Sequence, residues 1–302
     1  MNATTAPQAR KANPLTRWLK DPWRKPRVLW TITWSYLAWS ILPVLIAVVF
    51  SFNNGRSRSA WQGFSLQWWV GNKLDQSSLR FDSALRASIG QSLRLAVVTM
   101  VISVPLGVLF AIGLDRWRGR ISSGANFAML FSFVIPEIIL GVSLYLLFTQ
   151  ALRSVMGLGT TAQIIGLVTF QISYPVIIVR ARLLSIGKEY EEAAMDLGAT
   201  PTQSVRRVLL PLLYPAVFAS FAIVFADSLD DFVTVNALKS GASTQTLSIS
   251  IYNTSRGSPT PAINAAATAM LIFTLTAVGF GLLLYRYFSR GQRGDAASFT
   301  QL

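Results

Sequence analysis

The feature that most constrains this chain is a series of apolar runs, each long enough to cross a bilayer. Residues 28–50, 92–114, 125–148, 164–182, 208–229 and 263–287 are such runs, nearly free of charge along most of their length. About twenty residues of helix span the roughly 30 Å of a hydrocarbon core. Backbone polar groups in lipid must be satisfied within the segment, and runs of this length do so as helices. The expected fold is therefore all-α, a polytopic membrane protein with six transmembrane helices. Composition agrees: 52% of the residues are hydrophobic and 13% charged, whereas soluble domains average about 25% charged. Mean hydropathy is +0.46.

The polar segments divide the chain. Residues 1–27 form a basic tail, residues 28–288 a transmembrane domain, and residues 289–302 a second tail. The first run is longer than a signal-peptide core and no A-x-A site follows it, so it is expected to stay as a helix, kinked at Pro43. Trp18 and Trp23 of the tail suit an interface, as do Trp61, Trp68 and Trp69 of the long 51–90 loop. A short turn is expected near 157–161 and a loop over 230–261. The small residues Ala265, Ala266, Ala267, Gly279 and Gly281 of the last run suit close helix packing.

The net charge of +14 does not point to nucleic acid, because the basic residues sit in tails and loops rather than on one face. Most of the 27 Lys and Arg fall in 1–27, 115–120, 180–207 and the C-terminal end. Arg116, Arg118 and Arg120 belong to this bias. It places both termini, and the loop 183–207, in the cytoplasm. Histidine and cysteine are absent, which removes disulfides, thiolate and imidazole chemistry and nearly all zinc sites. No GxxxxGK[ST] phosphate loop occurs. Energy is expected to come from another chain.

The loop 183–207 is patterned. Tyr190, Ala193, Ala194 and Leu197 fall at i, i+3, i+4 and i+7, one apolar stripe of a helix. Glu189, Glu192 and Asp196 fall on another face, and acids crowd the first turn, where the helix dipole favours them. Gly198 stands as a C-terminal cap. Thr200-Pro201 reads as an N-cap with proline in the first helical position, and Leu210-Pro211 as the start of the next span. Periodicity alone leaves open whether this is a simple interfacial helix or one that docks on a partner.

The run 125–148 contains Glu137, whose carboxylate costs at least about 2.5 kcal/mol at mid-membrane unless it faces water or a partner. It suits a polar contact on a cation path, or a structural bond at the Pro136 break. Asp227 and Asp231 are one helical turn apart and share a face with Asp230 if the helix continues. They read as a cation-attracting cluster or as helix-end solvation. Tyr174, before Pro175, offers an aromatic face to an amine, or kinked core packing.

Glu192-Ala193-Ala194, then three residues, Gly198, then nine, Val208, one more, and Leu210-Pro211 resembles the EAA signature of bacterial ABC importer permeases. Val208 departs from the isoleucine common there. Ser228-Leu229-Asp230-Asp231-Phe232-Val233 and Ile135-Pro136-Glu137 through Leu144 look like the spermidine/putrescine branch, closest to its C-type subunit. The resemblance covers residues 28 to 288. It implies the type I importer permease fold in a bacterial inner membrane, and no enzyme activity of the chain's own. It implies no cofactor on this chain, with ATP and Mg on partner ATPases.

The implied partners are a second permease subunit, two ATP-binding subunits, an extracytoplasmic substrate-binding protein and membrane lipid, without nucleic acid. The helix at 189–199 would dock in an ATPase cleft through Glu189, Tyr190, Glu192, Ala193, Ala194, Asp196, Leu197 and Gly198, with Pro211 behind it. Glu137, Tyr174, Asp227, Asp230 and Asp231 would line the path of a small cation. Related branches carry other amines, amino acids or ions. A secondary transporter would need inverted repeats, which the sequence lacks. A membrane scaffold or receptor has no need of Glu137.

Overall fold

The computed structural model describes residues 27–57, 60–71, 78–116, 119–257 and 260–298. Among these the protein is helical, with one isolated bridge between Asn53 and Phe64 and no strand. The tryptophans expected at an interface in the N-terminal tail, and Arg118, lie outside the described residues. The stretches through Ala47 and from Val48 are two compact units. The first carries most of α1 (Arg27–Phe50), which runs on through Pro43.

The second unit opens on an ordered loop. Asn53 is buried and organises it: its side chain donates to the carbonyls of Ser57 and Ala60 and accepts from the Gln62 amide at 2.7 Å. Trp68 donates its indole N–H to the Asn53 carbonyl at 2.7 Å and is buried beside Ala262 and Ala265. The expectation that Trp68 lies at a membrane interface is thus corrected: its ring fills a core and its one donor is satisfied within it. Asp82 then accepts the Leu85 N–H at 2.9 Å. This cap starts α2 (Ser83–Arg116) well before residue 92, and its 34 residues reach about 51 Å.

The third apolar run is not one helix. α3 (Arg120–Val134) stops at Ile135-Pro136, both extended, and α4 (Glu137–Leu146) begins after it, continued by a π turn at Leu147–Ala151. Pro136 disfavours helix at the residue before it, which divides the run 125–148. The fourth run is α5 (Thr160–Gln171) and α6 (Ser173–Ile186), offset at Ile172. Pro175 has no N–H to return to the Gln171 carbonyl, which places the offset one turn upstream.

After Ile186 come α7 (Glu189–Asp196), α8 (Pro201–Ser204), a π turn at Val205–Leu209, and α9 (Leu210–Asp230). Leu210-Pro211 does not start a span; the helix arrives from Pro201 and passes through it. The widened turn, in which the Leu210 N–H reaches the Val205 carbonyl, makes room for a proline ring that would crowd a regular turn. The loop over 230–261 is also helical, with α10 (Val233–Ala237), a 3₁₀ turn at Ala242–Thr244 and α11 (Leu247–Arg256). α12 (Pro261–Ser298) ends the described chain. Among the described residues, five helical stretches are long and apolar enough to span: Val28–Phe50, Ser83–Arg116, Thr160–Ile186, Pro201–Asp230 and Pro261–Gly281. Glu137–Ala151 is a shorter apolar one.

α2, α6 and α9 meet through small apolar side chains. Val104, Val108, Ala111, Val176, Val179, Leu213 and Val224 form the largest buried cluster. Gly107 permits the contact, for a Cβ there would lie 2.4 Å from Pro175 Cγ and 3.2 Å from the Ile172 carbonyl oxygen. Closer to the start of α2, buried amides replace oil. Gln91 donates to Thr160 Oγ1 and to Gln163 Oε1, each at 3.0 Å. Gln163 donates in turn to the carbonyls of Val235 (2.9 Å) and Thr244 (3.0 Å). These bonds pin α10 and the 3₁₀ turn to the spans and satisfy amides that burial would otherwise penalise.

Candidate functional site

Two places in the second unit gather the residues singled out by the sequence. At the first, α9 ends at Asp230 and the chain turns. Asp231 leaves the helix with φ −54° and ψ 122°. Its Oδ1 accepts the N–H groups of Thr234 (3.0 Å) and Val235 (3.2 Å). Asp231 is therefore the cap of α10, buried, and its carbonyl receives the Ser248 hydroxyl at 2.9 Å. Asp227, in the last turn of α9, receives the Gln171 amide at 2.6 Å. Glu137 stands in the first turn of α4, where the helix dipole favours an acid. α4 packs on α10 at Gly141, where a Cβ would meet Val233 and Ala237 at 3.4 and 3.5 Å.

These elements converge. Tyr174, the second residue of α6, lies within electrostatic reach of Asp227, Glu137 and Asp231, and Asp231 lies within reach of both other acids. Its ring meets Phe170 edge to face at 6.0 Å. The fold thus brings Glu137, Tyr174, Asp227 and Asp231 together from four separate elements. Asp230 is exposed and is absent from the interactions that join the others. A single shared face for Asp227, Asp230 and Asp231 is corrected: the helix stops between the last two, because Asp231 caps the next one. The sequence reading missed Gln171, which holds Asp227 in place. An amide in an otherwise apolar run was its signal, by the same desolvation argument applied to Glu137.

At the second place, α7 projects from the loop between α6 and α9. Tyr190, Ala193 and Leu197 are exposed, with Leu197 at 91%, and Ala194 is half-buried. Gly198 has φ +90° and donates its N–H to the Met195 carbonyl at 2.9 Å, a left-handed helix end. Thr200 and Gln203 then form a full capping box, Thr200 Oγ1 accepting the Gln203 N–H at 3.3 Å and Gln203 Oε1 accepting the Thr200 N–H at 3.0 Å. Ser204 bonds the Glu191 carbonyl. The four acids of α7 have different surroundings. Glu191 turns inward and pairs with Arg116 at the end of α2. Glu189, Glu192 and Asp196 remain exposed.

The second unit is thus a helix bundle broken just before Glu137, with a capped amphipathic helix between two long apolar stretches. Residues 103–294 match the family described as "Binding-protein-dependent transport system inner membrane component". The chain belongs to that family, and is thus a permease subunit of an ABC importer and a multi-pass membrane protein.

Two relatives from Escherichia coli (strain K12) illustrate the kinship. The putrescine transport system permease protein PotI is 33% identical over 258 residues, 84% of this chain and 87% of its own. The spermidine/putrescine transport system permease protein PotC is 32% identical over 268 residues, 88% and 95% of the two chains. Among solved structures, a bacterial ABC transporter involved in the import of alginate superposes with a TM-score of 0.68 at 16% identity, over 91% of this chain and 99% of that one. The MetNI methionine transporter does so with a TM-score of 0.53 at 21% identity, over 68% and 94%. At these identities the structures speak for the fold.

Proposed function

We propose that this chain forms half of the path of an ATP-driven importer for a small polyamine, of the spermidine and putrescine class. The observation that carries the reading is the convergence of Glu137, Asp227 and Asp231 on Tyr174. Three acids within electrostatic reach of their common neighbour Tyr174 suit a flexible cation bearing separated ammonium groups. The names of the PotI and PotC relatives support the same solute class. Asp230, at the rim, attracts cations toward the path without forming it.

α7 is the coupling helix of this reading. Its stripe, Tyr190, Ala193, Ala194 and Leu197, seats in a cleft of a separate ATPase, which carries the ATP and Mg. Glu189, Glu192 and Asp196 face basic groups on that partner, whereas Glu191 is engaged by the chain's own Arg116. Gly198 turns the chain at the helix end, the Thr200 cap holds the segment that follows, and Pro211 sits behind the widened turn. A second permease subunit completes the pore, two ATPases drive it, and an extracytoplasmic binding protein delivers the solute. Both termini and α7 are cytoplasmic, with 1–27 and 289–302 as tails about a transmembrane domain of 28–288. Closure of the ATPases moves α7 as a rigid body, and the attached spans turn the cavity outward.

The test is uptake of labelled putrescine by the assembled transporter in vesicles. ATP-dependent uptake that falls in Glu137→Gln and Asp227→Asn, with assembly intact, agrees with the reading. Uptake indifferent to ATP, or to both substitutions, would sink it.

A further inference from the structure

α7 reaches the rest of the chain through two covalent joints, and both are glycines. Gly187 has φ +76° and Gly198 has φ +90°. Left-handed glycines define these corners but do not by themselves brace the helix, since a residue without a side chain offers no packing across the bend. By its packing, α7 rests on α8 and the π turn, which belong to the segment that follows it in the chain. A further tie runs elsewhere. Arg116, the last residue of α2, pairs with Glu191 in the first turn of α7, and this is the one ion pair among the described residues. Glu191 is 13% exposed at its side chain and Arg116 37%. The pair is thus partly withdrawn from water, where an ion pair is screened less than on an open surface. Asp115, Lys188, Glu192 and Met195 line the same small cavity of about 120 Å³.

We infer that the Arg116–Glu191 pair is a positioning device that carries the movement of α7 into α2. The inference rests on α7 being the helix that meets the ATPase. α6 and α9 are joined to α7 by the chain itself and receive its displacement directly. α2 is not, yet it packs along both α6 and α9 and supplies Val104, Val108 and Ala111 to their common core. If α2 stayed behind while its neighbours moved, the tight seat of Gly107 on Pro175 would be pulled apart. The ion pair makes α2 follow. It also explains why Glu191 turns inward while its neighbours Glu189 and Glu192 are exposed. A guanidinium suits the task, since its fork holds a carboxylate in a fixed orientation.

The experiment uses the chain assembled with its co-expressed subunits in proteoliposomes, with labelled putrescine as the probe. ATPase retention, ATP hydrolysis and uptake are read on each preparation. Arg116→Glu and Glu191→Arg are each expected to keep the ATPase bound and hydrolysing, while uptake per ATP falls at least about fivefold, the lower end of ordinary coupling. The exchange Arg116→Glu/Glu191→Arg restores the ratio, while ATPase retention and hydrolysis, which a merely structural defect would lower together with uptake, stay level throughout. An unchanged ratio in both single variants overturns the inference, as does an exchange that fails to restore it. A loss of ATPase equal to the loss of uptake overturns it too, for the pair would then build the docking face. Leu197→Arg is the separate arm: if it leaves ATPase retention unchanged, the docking reading itself fails, whatever the pair does.

Discussion

The amide of Gln171 donates to Asp227 Oδ2 across 2.6 Å and so joins the last residue of α5 to the last turn of α9. Gln171 is fully buried and Asp227 half-buried. A hydrogen bond to a charged group is worth about 1.5–3 kcal/mol. Gln171→Leu is expected to lower stability by roughly that amount, read as the thermal midpoint in detergent. Asp227→Asn keeps an acceptor for the amide and removes the charge. It should spare the midpoint and reduce putrescine uptake.

Asp231 has to be tested differently from Glu137. Its carboxylate caps α10, so Asp231→Ala removes the cap and costs about 0.5–2 kcal/mol. Asp231→Asn retains a capping oxygen and removes the charge. Combined with Glu137→Gln, it should cut uptake more than either change alone, with the thermal midpoint close to that of the parent. Equal uptake in the double variant and the parent would remove both acids from the path.

Two glycines of α2 should behave in opposite ways. Gly107→Ala forces a methyl to 2.4 Å from a proline ring and 3.2 Å from a backbone oxygen. Overpacking of this kind costs about 1–3 kcal/mol. Gly113 has open space around its Cβ direction, and Gly113→Ala gains about 0.5–1 kcal/mol of helix propensity. Thermal midpoints of the two variants, measured side by side, check the difference in sign.

The end of α7 separates strain from collision. A Cβ at Gly198 would meet nothing within 4 Å, yet its φ is +90°. Gly198→Ala therefore carries only the left-handed penalty, roughly 1–2 kcal/mol. Gly198→Asn, which tolerates that region better, should carry less. ATPase retention should rank parent, Asn, Ala in descending order. Thr200→Ala breaks the capping box and should weaken retention as well, at a cost of about 1 kcal/mol.

What could be read from the sequence follows the range of the forces involved. The spans followed from apolar length. The helix at 189–196, the left-handed Gly198 and the Thr200-Pro201 start followed from local chemistry, because caps and dipoles act within a turn. The break before Glu137 was half visible: Pro136 was in plain view, but a run of apolar residues cannot say whether a helix kinks or stops. The loop over 230–261 looked irregular because α10 and α11 are short and are held by distant residues, Gln163 donating to the Val235 carbonyl and Ser92 Oγ accepting the Leu247 N–H. The pairing of Arg116 with Glu191 spans 75 positions, and nothing local announces it. The gathering of Glu137, Tyr174, Asp227 and Asp231 was legible as a set of costly residues, but not as one place.

The widened turn at Val205–Leu209 takes up one residue more than a regular helix would. Along 3.6-residue geometry one residue is about 100° of rotation. The end of this long helix next to α7 and the end that bears Asp227 are thus phased like two gears with one tooth taken up between them. The surplus tooth allows the end next to α7 to seat Leu209 and Leu213 in the core while Asp227 still meets Gln171. A regular count through the same stretch would satisfy one of these faces and turn the other away.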